Sequence, residues 1–244
     1  MYLYKPQIDS TNDNTPGSFI THNLTMQPSS EKPRLLIVDD HAIIRRGLKF
    51  ILESNFNIHE FQETESCKGL RTMLTSQKFS HLILDMQLTD GNVIEMLNEI
   101  IETYPTMSIL VYTMSPEEIF GSRIMNMGVS GFLNKQADEK EVIVALTSFF
   151  TGKKYCSTTV KELMSAKPSG EKSQDPFKDL SERELTVMNY LLKGEGIKEI
   201  SGRLNIKSST VATFKARIFN KLGVSNIIDL KNLAEIYKFR HPVQ

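Results

Sequence analysis

The sequence predicts a doubly wound α/β domain with a five-stranded parallel sheet, followed by a smaller all-α domain of four helices. Five short apolar runs alternate with helical patterns between residues 34 and 150, an alternation typical of a parallel sheet covered on both faces. After residue 178 the apolar residues recur only at helical spacing. A length of 244 residues suits one large domain or two ordinary ones.

The chain divides into four segments by composition and pattern. Residues 1–33 are rich in Thr, Asn, Ser and Pro and are predicted to form a disordered extension, whereas residues 34–152 carry the α/β pattern. Residues 153–177 read as a polar linker with one short helix, and residues 178–244 form the helical domain. Strands are predicted near 34–38, 58–62, 81–84, 108–112 and 131–133, with helices near 42–54, 66–75, 93–103, 117–127 and 138–150.

The helical domain has the order of a helix-turn-helix. Ser181 stands three residues before Glu184, a capping-box pattern that begins a helix ending near Gly194. A short helix near Ile197–Leu204 precedes a longer one that Ser208 is expected to cap, and a fourth runs near Ile227–Tyr237. A short helix, a tight turn and a longer capped helix are typical of DNA-binding proteins.

Polar side chains end the predicted strands of the first domain. Asp39 and Asp40 follow the first strand, Asp85 the third, Thr113 the fourth and Lys135 the fifth. Because ligands of open parallel sheets bind at the carboxyl ends of the strands, these groups are expected to meet. Clustered carboxylates repel one another and favour a hard divalent cation such as Mg²⁺. The nearby lysine and hydroxyl suit a phosphoryl group.

This order of residues resembles the receiver domain of bacterial two-component response regulators. The resemblance implies that Asp85 accepts the phosphoryl group and that Asp40 and Asp85 bind Mg²⁺ directly. The backbone carbonyl of Gln87 would be a further ligand, and Asp39 would act through water. Lys135 would pair with the phosphoryl oxygens, while Thr113 and Phe132 would be the switch residues.

The helical domain resembles the LuxR-type helix-turn-helix, through the segment 180–184, Gly194, the segment 198–200, Leu204 and the segments 210–211 and 221–224. Together the two domains resemble the NarL/FixJ class of response regulators, and the tract 210–217 leans toward members such as BvgA and EvgA. The third helix offers hydroxyl, small and basic side chains to phosphates and base edges. The predicted DNA-binding residues are Ser209, Thr210, Ala212, Thr213, Lys215, Ala216, Arg217 and Lys221.

The neutral overall charge hides an asymmetry between the domains. Residues 34–152 carry 10 Lys and Arg against 16 Asp and Glu, whereas residues 178–244 carry 12 against 7. This suits a metal-binding module joined to a nucleic-acid-binding module, although two unrelated solvated surfaces would give the same balance. The two cysteines lack metal-site spacing, and the sequence shows neither a signal peptide nor a membrane-spanning run, so a cytoplasmic location is expected.

These observations predict a cytoplasmic transcription regulator that a sensor histidine kinase phosphorylates on Asp85. Double-stranded promoter DNA, RNA polymerase and a second copy of the chain are the other expected partners. One alternative is a phosphorylation-independent regulator whose receiver serves only for dimerisation. An Asp-dependent phosphatase or phosphotransferase is less favoured, because the sequence shows no separate catalytic base, and the chain is therefore predicted not to be an enzyme.

The opposite charges of the domains also suggest a closed unphosphorylated form in which the acidic receiver covers the third helix. Phosphorylation would then favour an open form that dimerises, with the fourth helix as one contact.

Overall fold

A computed structural model describes residues 33–165 and 175–239. Residues 1–32, where the sequence predicts a disordered extension, lie outside the described residues, as do 166–174 of the predicted linker. The strands are β1 Leu35–Val38, β2 Gln62–Thr64, β3 His81–Leu84, β4 Ser108–Thr113 and β5 Gly131–Asn134. The helices of the first domain are α1 Ala42–Phe56, α2 Cys67–Ser76, α3 Val93–Thr103, α4 Glu117–Asn126 and α5 Glu139–Phe150.

The five strands form one parallel sheet in the order β2-β1-β3-β4-β5, which confirms the predicted doubly wound fold. The central strands β1 and β3 are buried along their whole length, because helices cover both faces of the sheet. Side chains of α1 and α5 pack on one face, and those of α2, α3 and α4 pack on the other. All strands therefore end at the same edge, where the polar residues meet.

The second strand begins later in the structure than the sequence predicts. The apolar residues near 58–62 predicted it, but β2 begins at Gln62 and contains Glu63 and Thr64. This strand lies at an edge of the sheet and its side chains are mostly exposed. An edge strand does not need an apolar run, so the usual pattern of a buried strand is missing here.

Part of the segment between the domains packs on the first domain. Helix α6, Thr158–Ser165, lies against α4. Gly121 of α4 has no side chain, which allows Val160 of α6 to approach closely. Tyr155 accepts a backbone hydrogen bond from Phe132 and donates one to Ser130, so this residue extends the β5 edge of the sheet.

The second domain contains α7 Glu182–Leu192, α8 Ile197–Leu204, α9 Ser208–Leu222 and α10 Ile227–Ile236, which confirms the four predicted helices. The Ser181–Glu184 capping box is formed as predicted. Lys207, not Ser208, occupies the N-cap position of α9, so Ser208 is the first helical residue. Gly223 ends α9 with a φ of 66°, a conformation that glycine adopts without strain. None of the described helices is long and apolar enough to span a membrane.

Candidate functional site: the acidic pocket and its cover

The structure brings the five polar strand-end residues together. The Lys135 ammonium lies 2.6 Å from a carboxylate oxygen of Asp39 and 2.8 Å from one of Asp85. These two acids are buried at 2% and 1% exposure, so the lysine balances charges that water cannot reach. Burial raises the pKa of Asp39, and the hydrogen bond from Lys135 opposes that rise.

Asp40 and His41 complete an acidic group around Asp85. One ligand atom from each of Asp39, Asp40, His41 and Asp85 lies within 4.8 Å of the others. The Oδ1 atom of Asp40 is buried and makes no hydrogen bond with the described residues, although His41 Nδ1 is 2.7 Å away. A buried carboxylate oxygen without a hydrogen bond, close to two further carboxylates, suits a hard divalent cation such as Mg²⁺. Sequence reasoning did not place His41 in this group.

The other predicted site residues lie on β4, on β5 and in the loop after β3. Thr113 is fully buried, and its hydroxyl donates to Ser115 Oγ over 3.3 Å. Phe132 is 1% exposed within the core. The backbone amide of Gln87 donates to Asp85 Oδ1 over 3.1 Å, which fixes the loop after β3 beside the carboxylate.

Helix α10 of the second domain contacts two loops beside this pocket, the one after β3 and the one after β4, through pairs that the sequence did not indicate. Asn232 Nδ2 donates to the carbonyl oxygen of Met86 over 3.0 Å. Asp229 accepts from Ser115 Oγ at 2.6 Å and from Gln87 Nε2 at 3.2 Å. Sequence spacing offers no signal for these pairs, because their members are more than 110 residues apart.

The prediction that the acidic first domain covers the third helix of the second domain is wrong. Ser209, Thr210, Ala212, Thr213, Ala216 and Arg217 of α9 are all exposed, whereas α10 packs against α3 of the first domain. The contact is not made by opposite charges, since none of the ion pairs among residues 33–165 and 175–239 joins the two domains. Hydrogen bonds, apolar packing and the stacking of Arg123 on Tyr237 form it instead.

Seven of the eight predicted DNA-facing residues of α9 are exposed, and Lys215 is the exception. Lys215 is half-buried with its ammonium 5.2 Å from the ring centre of Phe219. Lys221 is separate, because its ammonium contacts Glu184 at 2.8 Å and the carbonyl oxygen of Asp179 at 2.9 Å. The apolar residues of α9 at helical spacing are predicted to pack inward, and Val211, Ile218 and Leu222 are buried while Phe214 is half-buried.

Comparisons with known proteins cover both domains. Residues 35–147 match the response regulator receiver domain family, and residues 178–234 match the luxR family of bacterial regulatory proteins. Response regulator UvrY of Escherichia coli K12 is 29% identical over 201 residues, covering 82% of this chain and 92% of UvrY. Response regulator GacA of Pseudomonas protegens is 27% identical and covers 82% of this chain and 94% of its own length.

Solved structures of RcsB show the same fold. A structure of two RcsB dimers bound to two parallel DNAs has a TM-score of 0.53 at 26% identity, covering 84% of this chain and 99% of RcsB. RcsB of Salmonella enterica serovar Typhimurium, bound to promoter rprA with the phosphomimetic BeF3−, has a TM-score of 0.52 at 26% identity, with coverages of 83% and 98%. The chain belongs to the response regulators of the NarL/FixJ class, in which a receiver domain is joined to a LuxR-type helix-turn-helix domain.

Proposed function

We propose that this response regulator is a transcription regulator switched by phosphorylation of Asp85, and that a sensor histidine kinase supplies the phosphoryl group. The observation that carries the proposal is the contact of the buried Asp85 carboxylate with the Lys135 ammonium at 2.8 Å. A nucleophilic carboxylate held beside a cation suits phosphoryl transfer, in which positioning and charge neutralisation supply most of the catalysis.

The phosphoryl transfer needs no reactant besides Asp85 and the phosphohistidine of the kinase. A carboxylate oxygen of Asp85 forms a bond to phosphorus as the phosphorus–nitrogen bond of the kinase phosphohistidine breaks. The electron pair of that bond returns to the imidazole nitrogen. Lys135 then lies within reach of the new phosphoryl oxygens, since its ammonium already contacts both Asp39 and Asp85.

Asp40 and Asp85 are the residues that would hold Mg²⁺ directly, together with the backbone carbonyl of Gln87. Asp39 would act through water. The approach of ligand atoms of Asp39, Asp40 and Asp85 to within 4.8 Å of one another supports this assignment. When bound, the ion would neutralise charge on the phosphoryl oxygens.

Thr113 and Phe132 are the proposed switch residues. Both are fully packed, at 0% and 1% exposure, so a change at Thr113 must move its neighbours. The Thr113 hydroxyl would turn from Ser115 toward the phosphoryl oxygens after transfer. Phe132 lies near the start of β5, the strand that Lys135 follows, and would adjust to that movement.

The DNA-binding surface is proposed to be the exposed part of α9. Ala212, Thr213 and Ala216 would approach base edges, while Lys215 and Arg217 would contact phosphates. The DNA-bound RcsB dimers have the same two-domain fold, which supports promoter DNA as the ligand here. RNA polymerase is the further partner that a promoter-bound regulator would meet.

A homodimer is the proposed DNA-binding form. A two-fold dimer would read inverted half-sites about one DNA turn apart. Because the face of α10 that carries Asp229 and Asn232 is docked on the receiver, a dimer contact through that face requires that the two domains first separate. Phosphorylation would therefore act on the docked state before it acts on DNA.

The test is incubation of the full chain with acetyl phosphate and Mg²⁺, followed by intact mass and a DNA mobility shift. We expect one phosphoryl adduct in the wild type and in Asp90→Asn, because the Asp90 carboxylate binds the backbone amides of Cys67 and Lys68 outside the pocket. Asp85→Asn should show no adduct. An adduct that persists in Asp85→Asn would exclude Asp85 as the acceptor, and unchanged DNA affinity of the phosphorylated wild type would favour the phosphorylation-independent alternative.

A further inference from the structure

Helix α10 contacts both loops that border the phosphorylation pocket. Asn232 binds the Met86 carbonyl, next to Asp85 in the chain, and Asp229 binds the Gln87 side chain of the same loop. Asp229 also binds Ser115, two residues after Thr113. The DNA-binding domain therefore touches the pocket through one carboxylate and one amide.

Asp229 is a completely buried acid, at 0% exposure. Its Oδ1 atom accepts from Ser115 Oγ and Gln87 Nε2, and its Oδ2 atom accepts from Ser225 Oγ at 2.9 Å and Asn226 Nδ2 at 2.9 Å. All four donors are neutral. A buried carboxylate that depends on neutral donors loses stability when one of them turns away or when another negative group approaches.

Two hydrogen bonds connect Thr113 to Asp229 through Ser115, and their directions follow from the chemistry of the groups. A carboxylate only accepts, so Ser115 must donate its single hydroxyl proton to Asp229. The Ser115 oxygen is then free to accept the Thr113 hydroxyl proton over 3.3 Å. Asp229 thus orders a chain of two hydroxyls in which the Thr113 proton points toward Ser115, and each bond in such a chain strengthens the next.

We infer that Asp229 competes with the phosphoryl group for these hydroxyls, so that docking of α10 and phosphorylation of Asp85 oppose each other. The inference deepens the proposed function and rests on it. A phosphoryl group adds roughly two negative charges and needs hydrogen-bond donors. Thr113 can donate to it only by leaving Ser115, which breaks the ordered chain, and the new charge repels the buried Asp229. Undocking of α10 relieves both effects.

The coupling must act in both directions, because two states that exclude each other share one coupling free energy. Phosphorylation should release α10, and removal of Asp229 should make phosphorylation easier. The second direction gives the sharper test, since it needs neither a known kinase nor a known promoter.

The experiment measures the rate at which the full chain acquires the phosphoryl adduct from acetyl phosphate with Mg²⁺. If the docked form reacts slowly, the rate follows the undocked fraction, so Asp229→Ala should be phosphorylated at least about fivefold faster than the wild type, the lower end of typical coupling between sites. Asp229→Asn keeps an oxygen that can accept from Ser115 but removes the charge, so it should also react faster. It replaces Asp229→Ala if loss of the Ser225 and Asn226 contacts prevents folding, which circular dichroism would show.

Asn232→Ala is the matched control. It removes another buried hydrogen bond between α10 and the loop after β3 but leaves Asp229 on Ser115. We expect it to accelerate the reaction less than Asp229→Ala. Equal acceleration by both variants would mean that docking of α10 slows phosphorylation without any special role of Asp229. The inference that Asp229 competes for the hydroxyls would then be rejected.

The remaining outcomes separate this inference from the proposed function. If the wild type and both Asp229 variants react at one rate, and the adduct is on Asp85, the inference is overturned and the proposed function stands. If none of these proteins acquires an adduct on Asp85, the proposed function fails and the inference fails with it.

Discussion

The Lys221 ammonium at the end of α9 lies 2.8 Å from a carboxylate oxygen of Glu184 in the first turn of α7. The same ammonium donates to the carbonyl oxygen of Asp179, just before that helix. Glu184 also accepts from the backbone amide and the hydroxyl of Ser181. These contacts hold the candidate DNA-reading helix against the start of its own domain. They engage the ammonium of Lys221, which the sequence predicted to bind DNA.

The first prediction separates Lys221 from Lys215. Lys215→Ala should weaken binding to specific and random DNA about equally and lower the salt slope by roughly one unit, because one phosphate contact is lost. Lys221→Ala should leave the salt slope near that of the wild type. Mobility shifts at several salt concentrations measure both slopes, with Lys140→Ala on the receiver as a control for loss of one charge. Equal slopes for Lys215→Ala and the wild type would exclude a phosphate contact by Lys215.

The second prediction concerns Glu184 at acid pH. The hydrogen bond from Lys221 and that from the Ser181 amide lower the pKa of Glu184 to about 2. An unfolded glutamate titrates near about 4.3, so its folded-state advantage is present above that pH and disappears as pH falls toward 2. Glu184→Gln should cost about 1.5–3 kcal/mol near neutral pH and less at pH 2.

Thermal melts between pH 7 and pH 2 give the comparison. The exposed Glu182 in the same helical turn offers the control Glu182→Gln, which should follow the wild type. A constant stability difference between Glu184→Gln and the wild type across the whole range would contradict the assignment.

The third prediction uses the buried His81. Burial lowers the pKa of His81 to about 4, and its ring packs against Phe149 and Phe150. An unfolded histidine titrates near about 6.5, so between these values the unfolded chain binds a proton that the folded chain does not. Stability contributed by neutral His81 should therefore be complete above about pH 6.5 and decrease as pH falls, by up to about 1.4 kcal/mol per pH unit.

His81→Gln removes this titration and should flatten the stability profile between pH 6.5 and 4, whatever its effect at neutral pH. His59→Gln is the control, because His59 is exposed. Denaturant unfolding at each pH would measure the slopes. If His81→Gln and His59→Gln show the same slope, His81 is not the group responsible.

The fourth prediction tests the acidic pocket with Mg²⁺ alone. Asp40→Ala should weaken Mg²⁺ binding by roughly 10–100-fold or more, since loss of even an outer partner of a metal site has an effect of that size. Titration calorimetry on the full chain measures the affinity. Glu102→Ala, which removes an exposed carboxylate from α3, should bind Mg²⁺ as the wild type does. Unchanged affinity in Asp40→Ala would remove Asp40 from the ligand set.

Sequence patterns predict the pocket because its residues follow buried strands. The apolar residues of β3 lead directly to Asp85, and burial of the whole strand forces that pattern. The position of Lys221 was not predictable, because a basic residue on α9 looks the same whether it meets DNA or Glu184. Asp229 carries no local signal either, since its role depends on the docking of two domains.

The last prediction tests that docking at a second point. The Arg123 guanidinium of α4 lies 3.8 Å from the ring centre of Tyr237, the C-cap residue of α10. A half-buried cation over an aromatic face contributes about 1 kcal/mol, which corresponds to roughly a fivefold change in an equilibrium. Arg123→Ala should therefore favour the undocked form, and Arg123→Lys should restore only part of the contact because it lacks the planar group.

Amide hydrogen exchange measures the effect where α10 covers the receiver. In Arg123→Ala, the segments 86–88 and 113–115 should exchange about fivefold faster if their exposure requires undocking. Arg71→Ala, which breaks the exposed Arg71–Glu99 pair on the receiver surface, should leave both segments unchanged. Equal exchange in Arg123→Ala and the wild type would show that Arg123 does not stabilise the docked state. Acceleration at 113–115 without acceleration at 86–88 would show that the two loops lose α10 separately, so the cover would not move as one unit.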